Sequence, residues 1–124
     1  MVEVVMLVEA DAAVRQPLAA YLRECGLKVY EAVSGAEAIE ALSDHSLPVT
    51  IVLADATTGG AGFALSHWIR THRPTVDVVL TGSVEMAVEK ASDLCEDGPA
   101  LTKPYEHRFV LDHIKRLIAR RNRT

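Results

Sequence analysis

A chain of 124 residues with a formal charge of −4, 49% hydrophobic and 24% charged side chains has the size and balance of one globular domain with a sizeable core. It is too apolar for a disordered segment, and no apolar run approaches the roughly 20 residues needed to span a bilayer. The acidic balance argues against broad, non-specific nucleic-acid binding. Met1 leads directly into a strand pattern, without the basic segment or cleavage site of a secretory signal.

Strand and helix patterns then alternate. Glu3 to Val8 is β-branched and apolar, and it runs into Glu9 and Asp11. Val14, Leu18, Tyr21 and Leu22 recur at helical spacing, and Gly26 ends that helix. Lys28 to Ala32 reads as a second strand. Ser34 with Glu37 three residues on forms a capping box that opens a helix through Leu42. Val49 to Ala54 is short and continuously apolar, the pattern of a central strand covered on both faces, and it stops on Asp55. A glycine-rich loop, Thr57 to Gly62, precedes a helix marked by Phe63, Leu65, Trp68 and Ile69, with Phe63 and Trp68 expected in the core and Pro74 beyond the end. Asp77 to Leu80 is a fourth strand delivering Thr81, and Val84 to Leu94 a fourth helix. Gly98-Pro99 turns into a short fifth strand that delivers Lys103-Pro104, and Phe109, Val110, His113, Ile114, Leu117 and Ile118 stripe a last helix. The sum is (βα)5, an α/β doubly wound three-layer sandwich around a central five-stranded parallel sheet, as one domain over 1–124. Residues 120–124 read as a tail or the start of a linker.

The strand ends carry the chemistry. In open α/β sheets the crevice at the carboxyl ends of the strands is the ligand site. Nucleotide and flavin binders place glycines or hydroxyls after the first strand, so that backbone N–H groups cradle phosphate. Glu9-Ala10-Asp11 instead repels phosphate and attracts a hard cation. Asp11 taken alone is equally a helix cap. Asp55 closing a buried strand is costly to desolvate unless a cation, hydrogen bonds or chemistry offsets the cost, although an Asp at a strand end also simply starts turns. Lys103 is positioned to pair with Asp55, and Thr81 adds a hydroxyl donor. Metal-holding acids, an ammonium and a hydroxyl suit phosphoryl transfer to a carboxylate nucleophile.

Cys25 and Cys95 are expected as buried free thiols, which fits a reducing compartment. His45, His67, His72, His107 and His113 show no metal-ligand spacing. Lys115, Arg116, Arg120, Arg121 and Arg123 suit the last turns of a helix, with a partner-facing patch as the alternative.

Leu7-Val8-Glu9-Ala10-Asp11 with Arg15, Ile51 to Asp55, Leu80-Thr81-Gly82 and Leu101 to Tyr105, in this order and spacing, resemble the receiver domain of two-component response regulators over essentially the whole chain. The resemblance implies a cytoplasmic, flavodoxin-like phosphoacceptor signalling domain rather than an enzyme. It implies that Asp55 takes a phosphoryl group from a histidine kinase or histidine phosphotransfer protein, with Mg2+ held by Glu9, Asp11, Asp55 and the Thr57 backbone carbonyl. Lys103 would contact the phosphoryl oxygens, Thr81 would move towards them, and Lys103-Pro104 matches a peptide that is typically cis. The face of the last two helices would serve an output domain, a partner protein or a homodimer. No direct nucleic-acid or membrane contact is implied.

The chain also departs from that pattern. Ala10 stands where the second acid is usual, which weakens Mg2+ binding. Thr58-Gly59 replaces a methionine-proline segment in a loop one residue short, and Ala100 replaces the switch aromatic. These departures motivate an alternative reading, a degenerate receiver acting as a phosphorylation-independent interaction module. A third, a small flavodoxin-like hydrolase, lacks a second carboxylate two residues past Asp55, where Thr57 stands.

Overall fold

A computed structural model describes residues 4–56 and 61–97 together with residue 116. Four parallel strands, β1 (Val4–Val8), β2 (Lys28–Ala32), β3 (Ile51–Asp55) and β4 (Asp77–Thr81), lie in the order β2-β1-β3-β4. Helices α1 (Ala12–Glu24), α2 (Gly35–Leu42), α3 (Ala61–His72) and α4 (Val84–Asp97) alternate with them. The expected fifth strand, Lys103, Pro104 and its peptide bond, and the expected last helix except for Arg116 lie outside the described residues, as does Thr57.

Each element forms for a local reason. In α1 the expected stripe Val14, Leu18, Tyr21 and Leu22 is buried, and Gly26 follows with φ 91°, a left-handed conformation that favours glycine. Ser34 Oγ accepts from Glu37 N–H at 3.1 Å, while Glu37 Oε1 accepts from Val33 N–H at 3.3 Å, so the box closes one residue before the cap. β3 is central, flanked by β1 and β4, and its Val52, Leu53 and Ala54 are covered on both faces. Register at the start of β1 is pinned by Thr50, whose backbone N–H and hydroxyl both donate to the Val4 carbonyl.

The sheet divides the core in two. On one face Val5, Leu7 and Leu53 meet α1 and α4; on the other Met6, Val8, Val52 and Ala54 meet α2 and α3. Alternate strand residues point to opposite faces, so one apolar strand feeds both layers. Burying each of these larger side chains contributes roughly 1.5–3 kcal/mol.

Two expectations are corrected. Trp68 packs against the α2–α3 core, but Phe63, one turn earlier, is 72% exposed because it sits in the first turn of α3, ahead of the stripe formed by Leu65, Trp68 and Ile69. Cys25 and Cys95 are not free thiols. They form a disulfide across 70 residues with Cα atoms 5.4 Å apart, because the C-cap of α1 and the last turn of α4 meet on the same face. The inference of a reducing compartment rested on free thiols and loses that basis. His45, His67 and His72 are exposed as expected, His72 stacking on Trp68 with ring centroids 4.6 Å apart.

Candidate functional site

β1, β3 and β4 end side by side, and their last residues open into one recess. Glu9, Asp55 and Thr81 line it together with Leu7, Val8, Leu53 and Ala54 from the strands, Leu18 from α1 and Ala87 from α4. The sheet itself sets this placement. Asp55 and Thr81 are register partners across β3 and β4, and Ala56 N–H donates to the Thr81 carbonyl at 2.9 Å to extend the ladder one step. Glu9 N–H donates to the Ala32 carbonyl at 3.0 Å, which carries the β1–β2 pairing one residue past the strand.

Thr81 is 2% exposed, and its hydroxyl donates to the Ala54 carbonyl at 3.4 Å, a long bond and therefore a weak one. Glu9 is partly buried. Burial drives its carboxyl above the ordinary carboxylate value, the Asp11 N–H bond to Glu9 Oε2 at 2.9 Å pulls it back, and the charges of Asp55 and then Asp11 push it up again. The upward push wins, chiefly through burial, so the Glu9 carboxyl lies above its ordinary value.

Asp11 takes the capping role, one of the two that its position allows. It is the N-cap of α1, with Oδ1 accepting from Ala13 N–H at 2.9 Å. Ala10 between the two acids is exposed. Arg15 is a residue to which sequence reasoning assigned no role: its Nη1 donates to the Glu9 carbonyl at 2.9 Å and its Nε pairs with Glu31 at 3.1 Å. Glu31 also meets Arg23 at 3.1 Å, so the loop carrying Glu9 is tied to β2 and α1. The signal was the six-residue spacing from Glu9, which brings Arg15 back over the strand end after one turn of α1.

Among the described residues, no three of His, Cys, Asp and Glu gather as a metal-holding group. Glu9 and Asp55 do share the recess, and two carboxylates in a partly desolvated pocket suit a hard divalent cation that keeps several waters. Among the described residues, Glu9 and Asp55 therefore fit a hard divalent cation such as Mg2+. None of the described helices is long and apolar enough to cross a membrane.

No family model matches the chain. It is 30% identical over 122 residues to the transcriptional regulatory protein GltR of Pseudomonas aeruginosa, an alignment covering 94% of the chain and 49% of that protein. The chain thus spans about half the length of this relative. The fold is similar to a crystal structure of a response regulator receiver domain protein from Clostridium thermocellum, with TM-score 0.61, 17% identity and 98% of each chain covered. It is also similar to a response regulator from Thermotoga maritima, with TM-score 0.60, 21% identity, and 96% of this chain and 99% of that one covered. The Pseudomonas putida response regulator receiver protein gives TM-score 0.60 at 22% identity, covering 94% and 98%. The chain thus has the fold of response-regulator receiver domains.

Proposed function

We propose that the chain is a phosphoacceptor: Asp55 takes a phosphoryl group from a phosphohistidine of a histidine kinase or histidine phosphotransfer protein. The observation that carries this reading is the pairing of Asp55 with Thr81 at adjacent strand ends, in a recess shared with Glu9. In the transfer, an Asp55 carboxylate oxygen attacks phosphorus in line. The P–N bond breaks, its electron pair stays on the imidazole nitrogen, and an acyl phosphate forms. Thr81 holds its proton in a weak bond to the Ala54 carbonyl, so little is lost when the hydroxyl turns to a phosphoryl oxygen.

Glu9 and Asp55 are the residues assigned to hold Mg2+, with Asp11 and the Thr57 carbonyl assigned by resemblance. When bound, the ion neutralises charge on the phosphoryl oxygens. Lys103 is assigned the complementary cation on the same ground. The phosphorylated state would be read by an output domain or partner protein, or by a second copy of the chain, in the cytoplasm. The domain would promote at most its own phosphoryl transfer and dephosphorylation. An acyl-phosphate donor with Mg2+ should add one phosphoryl mass to the wild-type chain and none to Asp55→Asn. No adduct on the wild type would overturn the reading.

A second reading, a degenerate receiver that binds partners irrespective of phosphorylation, draws on exposed Ala10 and on the absence of a three-ligand metal group among the described residues. It predicts partner binding unchanged by Asp55→Asn, and donor-dependent binding would remove it.

A further inference from the structure

The recess has two helical walls, and one covalent bond joins the helices that carry them. Leu18 of α1 and Ala87 of α4 line the recess. Seven residues beyond Leu18 lies Cys25, and eight beyond Ala87 lies Cys95, in both cases two helical turns along the same buried stripe. The pair is buried, Cys25 at 4% exposure and Cys95 at 0%. Along α4 the fully buried stripe is Ala87, Val88 and Ala91, with Val84 and Leu94 only partly buried beside it, so the helix covers modest apolar area for its length. At its other end α4 begins directly after Thr81-Gly82, where Ser83 caps it by accepting from Met86 N–H at 3.1 Å. The disulfide therefore fixes the far end of the helix whose near end adjoins Thr81.

We propose that Cys25–Cys95 is a reversible redox-modification site, a clasp that holds α4 on α1 when oxidised and lets it loosen when reduced. Closure consumes a hydroperoxide. The sulfur of Cys25, the more exposed residue of the pair, attacks the peroxide oxygen and breaks the O–O bond, giving a sulfenic acid and releasing water or an alcohol. The Cys95 sulfur then displaces the hydroxyl as water, and the S–S bond forms. Opening takes both electrons from a dithiol through a mixed disulfide, returns a proton to each cysteine, and leaves the dithiol as a cyclic disulfide. The clasp rests on the receiver reading only for its consequence at Thr81, not for its chemistry.

Hydrogen exchange on the whole chain, oxidised with peroxide or reduced with dithiothreitol, tests it without any phosphodonor. Thiol alkylation after denaturation should label neither cysteine in the oxidised chain and both in the reduced one. Reduction should speed exchange over 84–95 on the order of tenfold relative to 35–42 in α2. In Cys95→Ala, exchange over 84–95 should be fast and indifferent to dithiothreitol. Two free thiols after peroxide would overturn the proposal, as would unchanged exchange in α4. Equal acceleration in every element would show a staple for the whole fold, and would overturn a local clasp. None of these outcomes depends on whether Asp55 is phosphorylated.

Discussion

At the β1 end of the recess the acids are held by their own loop, whereas at the β3–β4 end they are delivered by the sheet. Glu9 and Asp11 each spend a carboxylate oxygen on a backbone N–H two residues ahead, and Arg15 grips the Glu9 carbonyl. Asp55 and Thr81 are placed by register between the adjacent strands β3 and β4, with the Thr81 hydroxyl on a weak bond. The loop corner is thus locally satisfied, with Ala10 where the receiver resemblance expects an acid, while the sheet corner holds the two groups that the proposed transfer uses. The difference teaches that separate interactions maintain the two corners, so under the proposed reading one can change while the other keeps its geometry.

The strongest way to sharpen that contrast is to restore the missing acid. Ala10→Asp should lower the Mg2+ concentration for half-maximal phosphoryl adduct by about 10- to 100-fold, the scale of lost support in metal sites. It should also destabilise the chain in chelator, since a further negative charge joins Glu9, Asp11 and Asp55. Unchanged Mg2+ dependence would mean that the β1 corner does not limit the site.

A smaller effect separates the two roles of Asp11. Asp11→Ala removes the cap of α1 and should cost about 1 kcal/mol in urea unfolding. Asp11→Asn keeps a capping oxygen and should unfold near wild type, so a higher Mg2+ requirement in that variant would report on charge alone.

The smallest effect concerns Glu9 in chelator. Its folded carboxyl is raised above 4.5, so the folded chain keeps its proton to higher pH than the unfolded chain does. Ionised Glu9 therefore costs stability at neutral pH, and the cost fades as pH falls through the raised value towards 4.5. Glu9→Gln should unfold at higher urea than wild type at neutral pH, with the two midpoints converging in acid. A gap that stays constant with pH would contradict the desolvation of this corner.

How much of the molecule is legible in its sequence depends on the range of the interactions. Capping and stripe signals are local, so Gly26, Ser34 and the Val14-Leu18-Leu22 face are readable from the residues alone. The continuous apolar run of β3 marks it as central because only a strand covered on both faces tolerates that composition. The disulfide is not readable in this way: Cys25 and Cys95 are 70 residues apart, and only the shared face of α1 and α4 brings them together. Phe63 is misplaced by periodicity, which does not show where along a helix the core begins. At the site, Asp55 and Thr81 follow from strand ends and the cap at Asp11 is one of two readings the sequence allows, but Arg15 as tether needs the loop's hydrogen bonds.

The central claim is that Asp55 accepts a phosphoryl group in a pocket whose Mg2+ corner is weakened. A Mg2+ titration with an acyl-phosphate donor, read by intact mass and peptide mapping, tests both halves at once. The account predicts one adduct, mapped to the peptide containing Asp55, that rises with Mg2+ and is absent in Asp55→Asn. An adduct that ignores Mg2+, maps elsewhere, or never forms would contradict it.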